Sequence, residues 1–322
     1  MNRSEILFLY DIADANPNGD SLDDNKPRLD EENEINLVTD VRLKRTIRDY
    51  LHDFKNQELF IKEIKDKDGN IQDAKQRAAD FFDADKKYGA IDDARNDIKE
   101  SIVSKCIDVR LFGATIPIEP KINSKKKTGS VTLTGPVQFR MGRSLNKVEI
   151  QHIKGTGAFA FGGGKDQKTF REEYVVPYSL ISFYGIINEN AAKETNLSDD
   201  DVDLLMDGIW NGTKNLISRS KFGQLPRFLM QIEYNENNYF IGDLNNKIFI
   251  THDLEDDKKL RNISEINLNL SELLKAIIED KDKINKINYK FDSGIKFEGY
   301  ESADDLLDEF NSNGIKTEEI NF

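Results

Sequence analysis

Between positions 11 and 24 the chain carries five aspartates: Asp11, Asp14, Asp20, Asp23 and Asp24. Carboxylates this dense can hold Mg²⁺ and, beside a convergent base, cleave phosphodiesters. That base is missing. No Ser-His-Asp order stands out, the histidines His52, His152 and His252 are scattered, and Cys106 is the only cysteine. The same stretch imitates a calcium loop. Asp14, Asn16, Asn18, Gly19 and Asp20 fall at positions one, three, five, six and seven of an EF-hand, but position twelve is Asn25, which has no carboxylate to give. The run before the loop, Ile6-Leu7-Phe8-Leu9-Tyr10, reads as a strand where an EF-hand needs a helix. No catalytic residue, metal or cofactor is expected, and Asp20 should bond loop N–H groups as Asx residues do.

Cations offer different chemistry. Residues 41–50 are dense in arginine and lysine, and a small-residue loop between a buried strand and a basic helix lets a polyanion approach the backbone. If Leu43, Ile47 and Tyr50 face a core, Arg45 lies near the opposite face, Lys44 and Arg48 share one flank, and Arg42 lies on the other with Asp49. Residues 154–168 form a second candidate, with Lys154, Phe159, Phe161, Lys165 and Lys168 set among Gly155, Gly157, Gly162, Gly163 and Gly164. Such glycine can order against a partner, and interleaved aromatics can stack on bases. It is not a P-loop, because Asp166 follows Gly164-Lys165. Residues 121–127 are lysine-rich, which suits either phosphate contact or a solvated loop. Arg140, Arg143, Arg219, Lys221 and Arg227 come from strand ends and a helix end and are expected to line one groove, with Lys214 nearby in the chain.

These residues need a frame. Strands are expected at 4–12, 130–141, 174–188 and 228–234, and long helices at 39–54 and 198–220. In the first helix Leu43, Ile47, Tyr50, Leu51 and Phe54 form the core-facing stripe. In the second, Ser198 and Asp201 make a capping-box-like start, and Gly208 and Gly212 suggest close backbone approach. The order is βαββαβ, the ferredoxin-like split motif of RNA-recognition folds, in an α+β class. Insertions at 55–129 and 142–173 interrupt it; short helices are expected near 78–82 and 91–95. Residues 251–322 carry helical patches at 268–278 and 303–310, and leave open whether they cap the sheet or are partly mobile.

The chain has 322 residues and a net charge of −13. The charge is uneven. Residues 101–171 carry thirteen Lys+Arg against four Asp+Glu, and residues 235–322 carry eleven against twenty. That asymmetry suits a polyanion-binding face on an otherwise acidic protein. No long apolar run predicts a membrane span, the first residues do not read as a signal peptide, and a lone cysteine fits a reducing cytoplasm.

Several segments together resemble a known family. They are Phe8-Leu9-Tyr10-Asp11, Asn16-Pro17-Asn18-Gly19-Asp20, the run from Val38-Thr39-Asp40 to Asp49-Tyr50, Asp108-Val109-Arg110-Leu111-Phe112-Gly113, Gly135-Pro136-Val137-Gln138-Phe139, Met141-Gly142-Arg143-Ser144-Leu145-Asn146, Val176-Pro177-Tyr178 and Arg219-Ser220-Lys221-Phe222-Gly223-Gln224-Leu225-Pro226-Arg227. In order and number they resemble the backbone subunit of type I CRISPR surveillance (Cascade) complexes, the Cas family numbered seven, with the subtype I-B branch the nearest likeness. The resemblance implies a non-enzymatic protein with palm, fingers (55–129) and thumb (142–173). Several copies would polymerise head-to-tail along CRISPR RNA beside other Cascade subunits and present the guide to target DNA, leaving cutting to a helicase-nuclease. It implies that guide phosphates are held by Asn16, Asn18, Gly19, Thr39, Arg42, Lys44, Arg45 and Arg48. The competing enzyme reading is a metal-dependent ribonuclease built on the Asp11–Asp24 loop.

Overall fold

Ile6, Leu7, Phe8 and Leu9 are all fully buried in strand β1 (Ser4–Ala15), so both faces of that strand are covered and it lies inside a sheet. The computed structural model describes residues 1–83, 85–123, 125–156 and 170–322. After β1 come β2 (Ile35–Val38) and α1 (Asp40–Lys55), then α2 (Ala74–Ala79), α3 (Ile91–Lys105), α4 (Ile107–Phe112), β3 (Gly113–Ile118) and β4 (Gly129–Thr134). Strands β5 (Val137–Phe139), β6 (Gly142–Lys147), β7 (Gln151–Thr156) and β8 (Phe170–Ile187) follow. Next are α5 (Glu189–Thr195), α6 (Asp199–Lys214), β9 (Leu225–Tyr234), α7 (Ser271–Glu279), β10 (Ile284–Phe291), α8 (Ala303–Ser312) and β11 (Thr317–Glu319). The protein is mixed α+β with a central sheet.

That sheet runs β11-β10-β9-β1-β8-β6-β2 and ends on the short strand Leu29–Asp30; β5 and β7 also pair with β8. The expected strand at 130–141 is broken at Gly135-Pro136. Its first half, β4, pairs instead with β3 in a separate two-stranded sheet, and only β5 joins β8. Proline has no N–H for a ladder, so the break falls where the ladder cannot continue. The second long helix stops at Lys214, six residues short of the expected end at 220, and the chain then turns through 218–223.

The chain divides into two compact units. The first comprises Met1–Ser4, Lys44–Gln138 and Ile186–Gly212. In one of its cores Phe60, Phe81, Ile98, Ile102, Val109, Ile116 and Leu133 pack together around Cys106. Elsewhere in this unit Gly208 and Gly212 of α6 let that helix approach α1. A Cβ at Gly208 would sit 2.9 Å from Ile47 Cγ2, and one at Gly212 would sit 3.0 Å from Tyr50 Cβ. The stripe of α1 is buried at Leu43, Ile47, Tyr50 and Leu51, but Phe54 is 58% exposed and merely stacks on Tyr50. The capping pair is present, with the Asp201 N–H donating to Ser198 Oγ and the Ser198 N–H to Asp201 Oδ2, both at 3.1 Å.

Cys106 supplies a chemical check on this unit. Burial, followed by the Asp108 charge, pushes its thiol up to about 12, so almost no thiolate exists near neutral pH. Iodoacetamide at pH 8 should leave the folded protein unmodified and label it fully in urea. Rapid labelling of the native protein would contradict this packing.

The second unit comprises Glu5–Leu43, Phe139–Gly185 and Thr213–Phe322. Here the acidic last quarter is packed rather than loose. Leu260, Leu268, Leu273, Ile277, Leu306 and Phe310 share one core with Leu7, Leu9, Phe228 and Met230 of the sheet. Strand β10 pairs antiparallel with β9 from Phe228↔Phe291 onward, and β11 adds a parallel edge. Among the described residues no helix is long and apolar enough to cross a membrane.

Candidate nucleic-acid interface

The loop after β1 is held by its own polar side chains. Asn16 is 3% exposed, its Nδ2 donates to the Asn25 carbonyl at 2.7 Å, and its backbone N–H donates to the Ser220 carbonyl at 2.8 Å. Asn18 Oδ1 accepts from both the backbone N–H and the hydroxyl of Thr39, at 2.8 and 2.9 Å. The Thr39 hydroxyl in turn accepts from the Arg42 N–H at 3.2 Å, as an N-cap residue does at the start of α1. Gly19 has no room for a side chain: a Cβ there would lie 2.0 Å from Asn25 Oδ1. The loop is thus fastened to the N-terminus of α1, where helix partial charge favours an anion.

Lys221 joins this cluster from the turn after α6. Its ammonium donates to the Asn16 carbonyl at 3.0 Å. Burial first, and then the like charge of Arg42, push Lys221 down to about 8. Among the described residues no carboxylate pairs with it. A half-buried lysine that has no acid partner of its own and stands beside an arginine is costly for the free protein, and an approaching anion would relieve that cost.

Three of the five acids, Asp11, Asp20 and Asp23, are committed elsewhere. Asp20 Oδ1 accepts the Leu22 N–H at 3.0 Å, the Asx bond expected of it, while Oδ2 accepts from Arg28 at 2.8 Å. Asp23 pairs with Lys26. Asp11 is buried between Arg227 (2.9 Å) and the Tyr178 hydroxyl (3.0 Å). Among the described residues no three His, Cys, Asp or Glu side chains are grouped to hold a metal ion.

The other expected cations fall into two kinds. Arg143 pairs with Asp30, Arg140 with Asp243, Lys154 with Glu172 and Arg219 with Glu173, all with basic side chains more than half exposed. Surface pairs of this sort are worth about 0–1 kcal/mol, so a phosphate can displace the carboxylate at little cost. Lys214 is exposed at the end of α6. Arg227 and Arg48 differ. Arg227 is 12% exposed between Asp11 and Asp292. Arg48 is 11% exposed against a fully buried Asp108, with its guanidinium 5.0 Å from the Phe112 ring centre. Lys44 reaches Gln138 at 3.2 Å, and Arg45 is exposed and pairs with Asp49. Of Lys44, Arg45 and Arg48, then, Arg45 alone projects openly, and Arg48 is part of the packing. Phe159, Phe161, Lys165 and Lys168 lie outside the described residues.

In the sequence Asp108 stands only within the motif Asp108-Val109-Arg110-Leu111-Phe112-Gly113. The signal was present: an aspartate inside the apolar run Ile107–Phe112 must find a cation or N–H donors if the run is buried. Arg28, which fastens Asp20 and donates its N–H to the Asn18 carbonyl at 3.2 Å, was missed because nothing local marks it.

Fold and site together define a mixed α+β protein with a central sheet and a lysine and an arginine beside the loop that precedes α1. Comparison with known proteins places it further. The family described as CRISPR-associated protein Cas7 matches residues 2–271. The CRISPR-associated protein Cas7 of Haloferax volcanii is 32% identical over 315 residues, covering 92% of this chain and 89% of that protein. A chain solved in a CRISPR RNA-guided surveillance complex, pre-nicking, superposes with a TM-score of 0.53 at 13% identity, over 96% of this chain and 99% of that chain, a likeness of fold. The chain belongs to the Cas7 family.

Proposed function

We propose that this chain is a non-enzymatic CRISPR RNA-binding backbone subunit of a type I, subtype I-B-like, Cascade complex. The observation that carries the reading is the Lys221–Arg42 pair beside the Asn16–Asn18 loop and the Thr39 cap: two cations, a helix N-terminus and a glycine with no space for a side chain, all suited to a phosphate. The sheet order β9-β1-β8-β5, which is four–one–three–two of the expected strands, supports a ferredoxin-like, RRM-like palm formed by residues 1–54, 130–141 and 174–250. Residues 55–129 then serve as fingers, 142–173 as thumb and 251–322 as an acidic C-terminal region. Copies assemble head-to-tail along the guide, a heterologous contact that does not close. Sequence readout is left to base pairing with target DNA. Other Cascade subunits flank the array, and cutting belongs to a helicase-nuclease. The ribonuclease reading is disfavoured because Asp11, Asp20 and Asp23 are each already paired with a cation.

The test is to incubate the full chain with single-stranded RNAs of increasing length, with Mg²⁺ or Mn²⁺ present. The expected result is stepwise loading of more copies on longer RNA and intact RNA at the end. Failure to bind RNA, or turnover that Asp20→Ala abolishes, would overturn the proposal.

A further inference from the structure

We propose that Phe222 is a stacking platform for a nucleobase of the RNA strand whose backbone lies at Lys221 and Arg42. The inference rests on the RNA-binding reading above and adds a base contact to what is otherwise a backbone site.

Phe222 is 65% exposed. Exposure alone does not select it, since Phe54 is 58% and Phe249 50% exposed. Its setting does. The turn that carries it is closed twice onto the Ser218 carbonyl, by the Lys221 N–H at 3.1 Å and the Phe222 N–H at 2.8 Å. Gly223, at φ +92°, ends the turn in a conformation open to glycine. The Ser220 carbonyl accepts the Asn16 N–H at 2.8 Å, so the turn is also fastened to the loop of the anion site. The ring is therefore displayed on fixed backbone and loses little freedom when something covers it.

The charge around it favours nucleic acid as the cover. From Thr213 to Arg227 the chain carries Lys214, Arg219, Lys221 and Arg227 and no Asp or Glu. Lys221 spends one of its three N–H donors on the Asn16 carbonyl, which leaves two for an anion. Neighbouring Cα atoms are about 3.8 Å apart, so the proposed phosphate ligand and the proposed base platform are adjacent on one turn. A cation followed by an exposed aromatic is what a sequence-tolerant single-strand binder needs: the ammonium holds the backbone and the ring takes any base by its face.

The experiment is a cycle with two RNAs and four forms of the full chain. One RNA is an ordinary short single strand that loads one copy; the other has the same phosphates with abasic sites. The proteins are wild type, Phe222→Ala, Phe222→Trp and Lys221→Ala. Phe222→Ala should weaken binding of the ordinary RNA by about 5- to 160-fold, the range for a single base stack, and leave abasic RNA nearly unaffected. Its salt dependence should match wild type, because no charge is lost. Phe222→Trp should restore affinity for the ordinary strand, and Lys221→Ala should weaken both RNAs alike. Equal effects of Phe222→Ala on both RNAs, or none, would overturn the stacking role while leaving the backbone site standing. Unchanged RNA affinity with lost multi-copy loading on long RNA would assign Phe222 to a protein contact and also overturn it. A wild type that binds neither RNA would remove both readings together.

Discussion

Asp108→Ala should cost about 3–5 kcal/mol of folding stability, the range for breaking a buried ion pair and enough to threaten a domain of ordinary stability. Asp108 is fully buried and accepts three hydrogen bonds: from the Phe60 N–H at 2.8 Å, the Ile61 N–H at 2.9 Å and Arg48 Nε at 3.3 Å. Removing the carboxylate strands all three donors and leaves the Arg48 guanidinium, 11% exposed, without its counter-charge. Arg48→Ala should cost a similar amount by leaving the carboxylate uncompensated. Arg45→Ala should cost less than about 0.5 kcal/mol, because its pair with Asp49 is an exposed i,i+4 contact. Urea denaturation of the three variants measures this. A loss below about 1 kcal/mol for Asp108→Ala would mean the pair is not buried in solution. The same geometry governs how α1 is tested for RNA contact. Changing Lys44, Arg45 and Arg48 together would disturb the fold, so Arg45 carries the clean test.

RNA affinity should be flat below pH 7 and fall as pH rises through 8, with Lys221 responsible. Burial, with the Arg42 charge behind it, holds Lys221 near 8 in the free protein. A phosphate favours the ammonium and raises that value in the complex. Below the free value the proton is already in place and binding takes up none. Above it, binding must recruit a proton, which weakens affinity by up to about tenfold per pH unit. Lys221→Arg should bind RNA without this pH dependence, since arginine stays charged. Lys221→Ala should lose affinity and make the log–log salt slope shallower by about 0.7, one phosphate contact to a single strand. Stability runs the other way. A folded lysine held below its unfolded value destabilises the charged protein and is relieved as pH rises from about 8 toward the ordinary lysine range, so Lys221→Met should raise the Tm at pH 7. A pH-independent wild-type affinity, or a Lys221→Met variant with lower Tm, would refute the arrangement.

Much of the frame was legible in the chain because it depends on local period. The stripe Leu43-Ile47-Leu51 repeats every four residues and is buried as a helix face must be. The apolar run at 6–9 required cover on both faces and received it. Gly208 and Gly212 announced a close backbone approach, and the neighbour that makes it is α1. Motif order from Phe8 to Arg227 was enough to indicate the family, whose model matches residues 2–271. Phe54 shows the limit of period: it continues the stripe, but the neighbouring packing ends before it does, and the ring is left exposed.

Pairing between distant residues was decided by the tertiary structure alone. Arg48 and Arg45 look alike in sequence, yet one meets a buried carboxylate sixty positions away and the other meets solvent. Arg227 and Arg219 flank one motif, yet Arg227 is drawn between Asp11 and Asp292 while Arg219 stays at the surface. Lys221 gains its unusual charge environment from burial and from Arg42, and its hydrogen-bond partner Asn16 lies 205 positions earlier in the chain. The type and period of residues determine which faces are apolar and which are charged, because those are properties of neighbours along the chain. Which charge is neutralised, which is left for a ligand and what each costs depend on burial and on partners brought from afar, and only the folded chain supplies those.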